Sequence, residues 1–392
     1  MNVTSKLLGN TLSIAVSGKV DTSNAKEFET QIDEIRAAAS YESIQLDCEE
    51  LEYISSFGLR VILRLRKAEP TLKLIGVSTE VYDIFDMTGF TEMIPIEKGY
   101  RRMSVDGCKV IGEGAKGTVY RYDPEIIVKV YKDPDCIPDI RREQDLARRA
   151  FVMGVPTALS YDIVKVGDKL GAVFELLDSK SFSELIVENP DKLETYANAY
   201  ADMLRKIHEI KVEPGTMPSI KPRILRWLTT ARNFLPEAAA DRVEQLIQEA
   251  PDTNNLLHCD YHTSNLLMQG DEPILIDMDT LSLGHPVFEL ANSYVTYKGF
   301  GLDDPSNVET FLGIPCPVAR EFWDLFLRRY LQTDDPARLE EVELKSGLVG
   351  DLRLLNHVGK REGLTTEVGR RSIEHAVERI VERLPKLDTI AF

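Results

Sequence analysis

The chain has 392 residues, 43% hydrophobic and 28% charged, with a formal net charge of −17. Such a composition suits a globular protein with room for two or three domains, and its acidity disfavours nucleic acid or an anionic membrane as the main partner, while permitting a cationic substrate. No run approaches the about 18 apolar residues of a membrane span, MNVTSKLLGNTLSIAVSG is too polar for a secretory leader, and five scattered cysteines without a CxxC pair favour reduced cytosolic thiols over disulfides or a zinc site.

Taken in order, Leu12–Val16 alternates as a strand. Asp21-Thr22-Ser23-Asn24 is a cluster of capping residues, with Glu27 three after Asn24, opening a helix whose face carries Ala25, Phe28, Ile32 and Ile35. A strand at Ser43–Asp47, a helix from Ile54–Leu59 to about Lys67, a strand at Leu72–Val77, a helix at Thr79–Met87 and a strand at Met93–Ile96 follow. This alternation predicts a small α/β domain.

Gly18-Lys19-Val20-Asp21 and Tyr53-Ile54-Ser55-Ser56-Phe57-Gly58-Leu59-Arg60-Val61-Ile62-Leu63 resemble a STAS domain, the fold of bacterial anti-sigma-factor antagonists. In that family a serine before the second helix is phosphorylated by a partner kinase, which toggles protein binding. The motif puts that serine at Ser56, with Ser55 the other register. Ser56 is also read as the helix N-cap, where a phosphate would add about −1.5 to −2 charge at the positive end of the helix.

Lys109–Tyr120 contains Gly112, Gly114 and Gly117 in GxGxxG spacing, and Thr118-Val119-Tyr120 continues as a strand. Strand–glycine loop–strand is the context of kinases, not of a dinucleotide fold. In the next strand, Ile126–Tyr131, Lys129 stands among apolar neighbours and needs a partner. A helix carries Glu143, with Asp139 and Asp145 as rival partners. Thr157–Val166 and Leu170–Leu177 form a hairpin around Gly167-Asp168. Helices are expected at Ser181–Val187, Asp191–Ile210, Pro222–Phe234 and Pro236–Ala250, and the apolar stripe Tyr196, Tyr200, Met203, Leu204, Ile207 reads as core, with His208 structural.

Then comes LLHCDYHTSNLLMQGDEPILIDMD, Leu256–Asp279. Leu266–Met268 and Ile274–Ile276 flank the turn Gly270-Asp271-Glu272-Pro273, a hairpin that would gather Asp260, Asn265 and Asp277 at one end. Phosphoryl transfer needs a carboxylate to orient a hydroxyl and take its proton, which Asp260 supplies, and oxygen ligands for Mg²⁺, which Asn265 and Asp277 supply. Asp279 could support a second metal, orient a neighbour, cap a helix or sit on the surface. Helices at Val318–Leu331, Pro336–His357 and Glu367–Leu384 complete the chain.

His258-Cys259-Asp260-Tyr261-His262-Thr263-Ser264-Asn265 with Ile276-Asp277-Met278-Asp279 resembles the aminoglycoside-phosphotransferase and choline-kinase-like family, which shares its fold with protein kinases. The family usually has Gly at Cys259, a change expected to be tolerated because Cys is small, and more often Asp at Glu289. The resemblance implies that Lys129 contacts the nucleotide phosphates and pairs with Glu143, and that Glu175 to Leu177 form the adenine-binding hinge. The expected fold is an α/β STAS-like domain (1–98), a linker (99–106), and an α+β bilobal protein-kinase-like fold with a small β-rich N-lobe (107–178) and a helical C-lobe (179–392). The expected activity is ATP- and Mg²⁺-dependent transfer to a small-molecule hydroxyl in the cytoplasm, coupled to a protein partner through the STAS-like domain. A signalling kinase acting on Ser56 or on a partner's STAS serine, and a nucleotide-sensing adaptor, are the alternatives.

Overall fold

β1 (Asn2–Leu8), β2 (Thr11–Val20), β3 (Ser43–Ile54), β4 (Lys73–Val77) and β5 (Ile96–Lys98) lie side by side in that order in a computed structural model of the chain. It describes every residue except Ala115, Asp178, Pro214, Asp271 and 361–363. Three expectations fall on these and lie outside the described residues: Ala115 of the glycine loop, the N-lobe end at Asp178, and Asp271 of the hairpin turn. β1 runs antiparallel to β2, and the remaining pairs are parallel. Parallel strands covered by helices read as continuous apolar runs; Ile14, Leu46 and Leu74 are 1% exposed or less, as are Phe28, Ile32, Ile62 and Phe85 from α1 (Ala25–Ala38), α2 (Ser56–Ala68) and α3 (Thr79–Met87).

Three details correct the sequence reading. The Asn24/Glu27 cap does not form: Asp21 instead accepts from the Ser23 amide at 2.8 Å, and Asn24 turns back to the Asp21 amide at 2.9 Å. Ser55, not Ser56, caps α2, its hydroxyl accepting from the Gly58 amide at 3.3 Å, because the extended backbone ends one residue earlier. The last strand begins at Ile96, since Phe90–Glu92 winds into a 3₁₀ turn that delays it.

A second sheet is built from β6 (Arg101–Arg102), β7 (Lys109–Glu113), β8 (Gly117–Arg121), β9 (Ile126–Tyr131), β10 (Ser160–Val166) and β11 (Lys169–Glu175), in the order β6-β10-β11-β9-β8-β7. The 99–106 stretch, expected as a linker, therefore contributes a strand, with Arg101 and Arg102 registered on Val164 and Lys165. Contacts group Met1–Tyr122, Val128–Pro134 and Asp162–Val173 into one unit, and Asp123–Ile127, Asp135–Tyr161 and Phe174–Phe392 into another.

The second unit holds α4 (Ile137–Val152), β12 (Lys180–Ser181), α5 (Phe182–Glu188), α6 (Leu193–Glu209), α7 (Lys221–Ala231), α8 (Glu237–Glu249), β13 (Leu256–Leu257), β14 (Leu266–Gln269), β15 (Glu272–Leu275), β16 (Ser282–Leu283), α9 (Val287–Tyr297), α10 (Ser306–Leu312), α11 (Cys316–Leu331), α12 (Pro336–Lys360) and α13 (Glu367–Arg383). Ser181 caps α5 in a reciprocal box with Glu184. The α6 stripe is core, as read, packed on α11; every residue of α9 is buried. His208 is structural, bonded through Nδ1 to the Tyr330 hydroxyl at 2.7 Å. No helix among the described residues is long and apolar enough to cross a membrane.

Candidate active site

The loop between β13 and β14 is held from behind. Tyr200 and Tyr261 exchange bonds, each hydroxyl donating to the other's carbonyl at 2.7 and 2.9 Å. The Tyr297 hydroxyl accepts from the Thr263 amide at 3.0 Å. Cys259 adopts φ 66°, in the left-handed region. Its N–H donates to both carboxylate oxygens of Glu289, at 2.9 and 2.8 Å, and its C=O accepts from Asn292 Nδ2 at 2.9 Å. Glu289 and Asn292 lie on α9, so one buried helix grips both peptides around Cys259. The constraint at Cys259 is thus conformational rather than one of size: left-handed backbone favours Gly and costs other residues about 1–2 kcal/mol.

A stability test follows. Cys259→Gly removes that strain but also a buried thiol, so its unfolding free energy should stay within about 1 kcal/mol of the parent. Cys259→Val adds a branched side chain at φ > 0 and should lose about 2 kcal/mol or more. Thermal denaturation of both variants checks the order; equal Gly and Val stabilities would discount the backbone argument.

Asp260 follows Cys259 and is partly exposed. Its Oδ1 accepts from Arg353 Nη2 at 3.2 Å, and its Oδ2 lies 3.7 Å from His262 Nε2. Burial opposes ionisation, but His262, Arg353 and His258 together outweigh it and hold the carboxyl well below the usual carboxylate range. Asn265 Nδ2 donates to the Asp260 C=O at 3.1 Å, which identifies the amide nitrogen and leaves Oδ1 on the opposite side. Leu266 is registered on Leu275, and the Ile276 amide donates to the Asn265 C=O at 3.0 Å. The hairpin thus brings Asn265 and Asp277 to one end, where Asn265 reaches the Asp260 backbone. Asp277 is left-handed, at φ 62° and ψ 65°. Asp279 is buried in the 3₁₀ turn Met278–Thr280, so the surface-acid alternative is excluded. Among the described residues no group of three or more His, Cys, Asp or Glu is placed to hold a metal.

In the first unit, the Gly114 amide donates to the Gly117 C=O at 2.9 Å, and Lys132 Nζ donates to the Gly114 C=O at 2.9 Å. A Cβ on Gly117 would meet the Val130 carbonyl oxygen at 2.5 Å, so close strand packing requires that glycine. At Gly112 and Gly114 a Cβ would find its nearest neighbours at 3.7 and 3.9 Å, so the chain's own packing does not demand glycine there. Lys129 stands between buried Val128 and Val130, its Nζ 5.3 Å from the Tyr131 ring centre.

In the second unit, Glu143 is 7% exposed on α4, whereas its rivals are exposed and paired locally, Asp139 with Arg142 at 3.3 Å and Asp145 with Arg149 at 2.9 Å. Of the residues expected at the hinge, Glu175 accepts from the Tyr161 hydroxyl at 3.3 Å, the Leu176 amide donates to the Glu125 C=O at 2.7 Å, and the Leu177 C=O accepts from the Ser179 amide at 2.9 Å. Ser56 is exposed in the first turn of α2, beside exposed Tyr53 and Phe57.

Arg353 escaped the sequence reading. The available signal was a cation inside the apolar run Leu352–Leu355.

Comparison with known proteins matches the chain to two family models, the phosphotransferase enzyme family over residues 107–342 and the STAS domain over residues 2–102. The N-terminal part is similar to the proposed anti-sigma factor antagonist BtrV of Bordetella bronchiseptica, 29% identical over 100 residues, or 24% of this chain and 85% of BtrV. Among solved structures, ADP-bound aminoglycoside phosphotransferase APH(2'')-Ib is 13% identical, with a TM-score of 0.48 over 70% of this chain and 93% of that one. A choline/ethanolamine kinase family protein from Mesorhizobium loti is 14% identical, with a TM-score of 0.44 over 71% and 87%. The chain belongs to the phosphotransferase enzyme family, a kinase-like fold of β-rich N-lobe and helical C-lobe, and carries a STAS domain at residues 2–102.

Proposed function

We propose that the chain moves the γ-phosphoryl group of ATP to the hydroxyl of a small molecule. The acceptor oxygen bonds to phosphorus, the bond from phosphorus to the β–γ bridging oxygen breaks, ADP leaves, and the hydroxyl proton passes to Asp260. What supports the reading is the hairpin register that holds Asn265 and Asp277 at one end of β14 and β15, with Asn265 bonded to the Asp260 backbone.

Mg²⁺ suits these residues. Asn265 Oδ1 and the Asp277 carboxylate are hard oxygen donors, and this cation typically takes only one or two protein groups, its other positions filled by water and phosphate. When bound it neutralises charge on the β- and γ-phosphates. Gly112 and Gly114, where packing leaves room, suit close approach of phosphate to backbone, and Gly117 sets the strand geometry behind them. Lys129 is assigned to the phosphates, and Glu143, buried where its rivals are exposed, is kept as the acidic residue of the α4 position. Glu175 and Leu177 are assigned to the hinge.

The STAS domain is the regulatory part of this reading. Exposed Ser56 at the start of α2, flanked by Tyr53 and Phe57, suits a protein-binding face that phosphorylation would switch. The test is incubation of the full chain with γ-labelled ATP, with and without Mg²⁺ and a library of alcohols. Mg²⁺-dependent ADP release matched by label on an added alcohol is the expected result. Label confined to Ser56 would replace the small-molecule acceptor by a protein one, and an absence of any ADP release would refute phosphotransfer.

A further inference from the structure

We propose that Arg353 selects for acceptor alcohols carrying an anionic group, a carboxylate or a phosphate, near the reacting hydroxyl. The inference rests on the phosphotransfer reading and names its substrate class. Arg353 lies on α12 outside the matched range 107–342, so the family match does not assign it. Its guanidinium reaches Asp260 Oδ1 at 3.2 Å and Asn292 Oδ1 at 2.9 Å and stands 5.9 Å from the Trp227 ring centre. The helix that carries it is anchored: buried Asp351, two residues earlier, accepts from Arg379 Nη2 at 2.8 Å and from Arg383. The Arg353 side chain nevertheless keeps 26% of its surface exposed, beside Oδ1 of the carboxylate proposed to receive the acceptor's proton.

The surroundings carry imidazole and aromatic groups. His262 lies on the other Asp260 oxygen, and its ring meets Phe311 at 5.0 Å; Phe311 meets Phe300 at 5.4 Å, and Phe300 meets His357 at 6.1 Å. A hydroxyl that approaches Asp260 Oδ1 does so alongside a guanidinium. An ammonium on the same molecule would meet like charge, whereas a carboxylate or phosphate would meet a planar fork two of whose five donors serve Asp260 and Asn292. The net charge of −17 permits a cationic substrate, but the local arrangement opposes one.

The experiment measures ADP release by the full chain with Mg-ATP and alcohols balanced for charge. Glycerate and sugar phosphates are the anions, glycerol and the parent sugars the neutral members, and choline and kanamycin the cations. The best anion should exceed its neutral counterpart by about 10-fold or more in kcat/KM, the effect of one charge-assisted contact. Arg353→Met should raise the KM for that anion by about 10–100-fold and leave the KM for ATP within about 2-fold, while Arg353→Lys keeps part of the preference. A best acceptor that is neutral or cationic, an equal loss on every acceptor in Arg353→Met, or transfer to a protein serine overturns the inference and leaves phosphotransfer standing. No ADP release with any compound removes the phosphotransfer reading, and this inference with it.

Discussion

Asp260→Asn is expected to lower kcat by about 10²–10⁴-fold, the range for removing a positioned general base. The substitution keeps the side chain's size and an oxygen for Arg353 Nη2, now at 3.2 Å from Oδ1, so the loop held by Glu289, Asn292 and the tyrosine pair should stay in place. Affinity for ATP should therefore change little, and calorimetric titration against steady-state turnover separates the two effects. Because His262 and Arg353 hold the Asp260 carboxyl below the usual range, the group stays ionised from neutrality well into acid. With Asp260 as the proposed base, the acid limb of kcat/KM is expected below the pH of an ordinary aspartate. A mutant within about 3-fold of the parent would remove Asp260 from the chemistry, since even the weakest general bases are worth about 10²-fold.

The parts of this chain that were legible in sequence are those whose ends carry their own chemistry. Thr79–Met87 was readable to the residue because Ser78 caps it, its hydroxyl accepting from the Val81 amide, and Gly89 follows its end. Ile126–Tyr131 was readable because a turn precedes a β-branched run. Helix α9 was not, because burial on every side erases the 3.6-residue period that identifies a helix. Strand β1, polar and exposed along most of its length, gains strand identity only from its pairing with β2. At the site, the order of Asp260, Asn265 and Asp277 is local and was visible. Arg353 lies 93 residues from Asp260 and reaches it only through the packing of α12, so no spacing rule could find it. The choice among Asp139, Glu143 and Asp145 likewise needed to know which face of α4 turns inward.

The second large effect is expected at Glu289, where alanine should destabilise the chain by about 3–5 kcal/mol, the cost of breaking a buried charged network. Glu289 is fully buried, receives the Cys259 N–H on both oxygens and stands 3.9 Å from His208 Nε2. Its removal leaves a buried amide unpaired at the one residue of the loop that is held left-handed, immediately before Asp260. At about 2–4 °C per kcal/mol for a unit of this size, Tm should fall by about 10 °C, as scanning calorimetry would show. Turnover at a temperature where the variant is folded should also fall, by about 10-fold or more, because small displacements of a reacting group are costly. Burial alone would raise the Glu289 carboxyl, but His208, His258 and the Cys259 amide overcome it and lower the value in the folded chain. A lowered folded value means that stabilisation is present above the unfolded glutamate pKa, about 4.3, and is lost as pH falls through the folded one. The gap between parent and Glu289→Ala should therefore narrow in acid. Glu289→Gln keeps an oxygen for the amide and should retain most of the activity while losing the charge-dependent part of the stability. If alanine and glutamine lowered activity equally, the charge opposite His208, and not the grip on Cys259, would be what sets the loop.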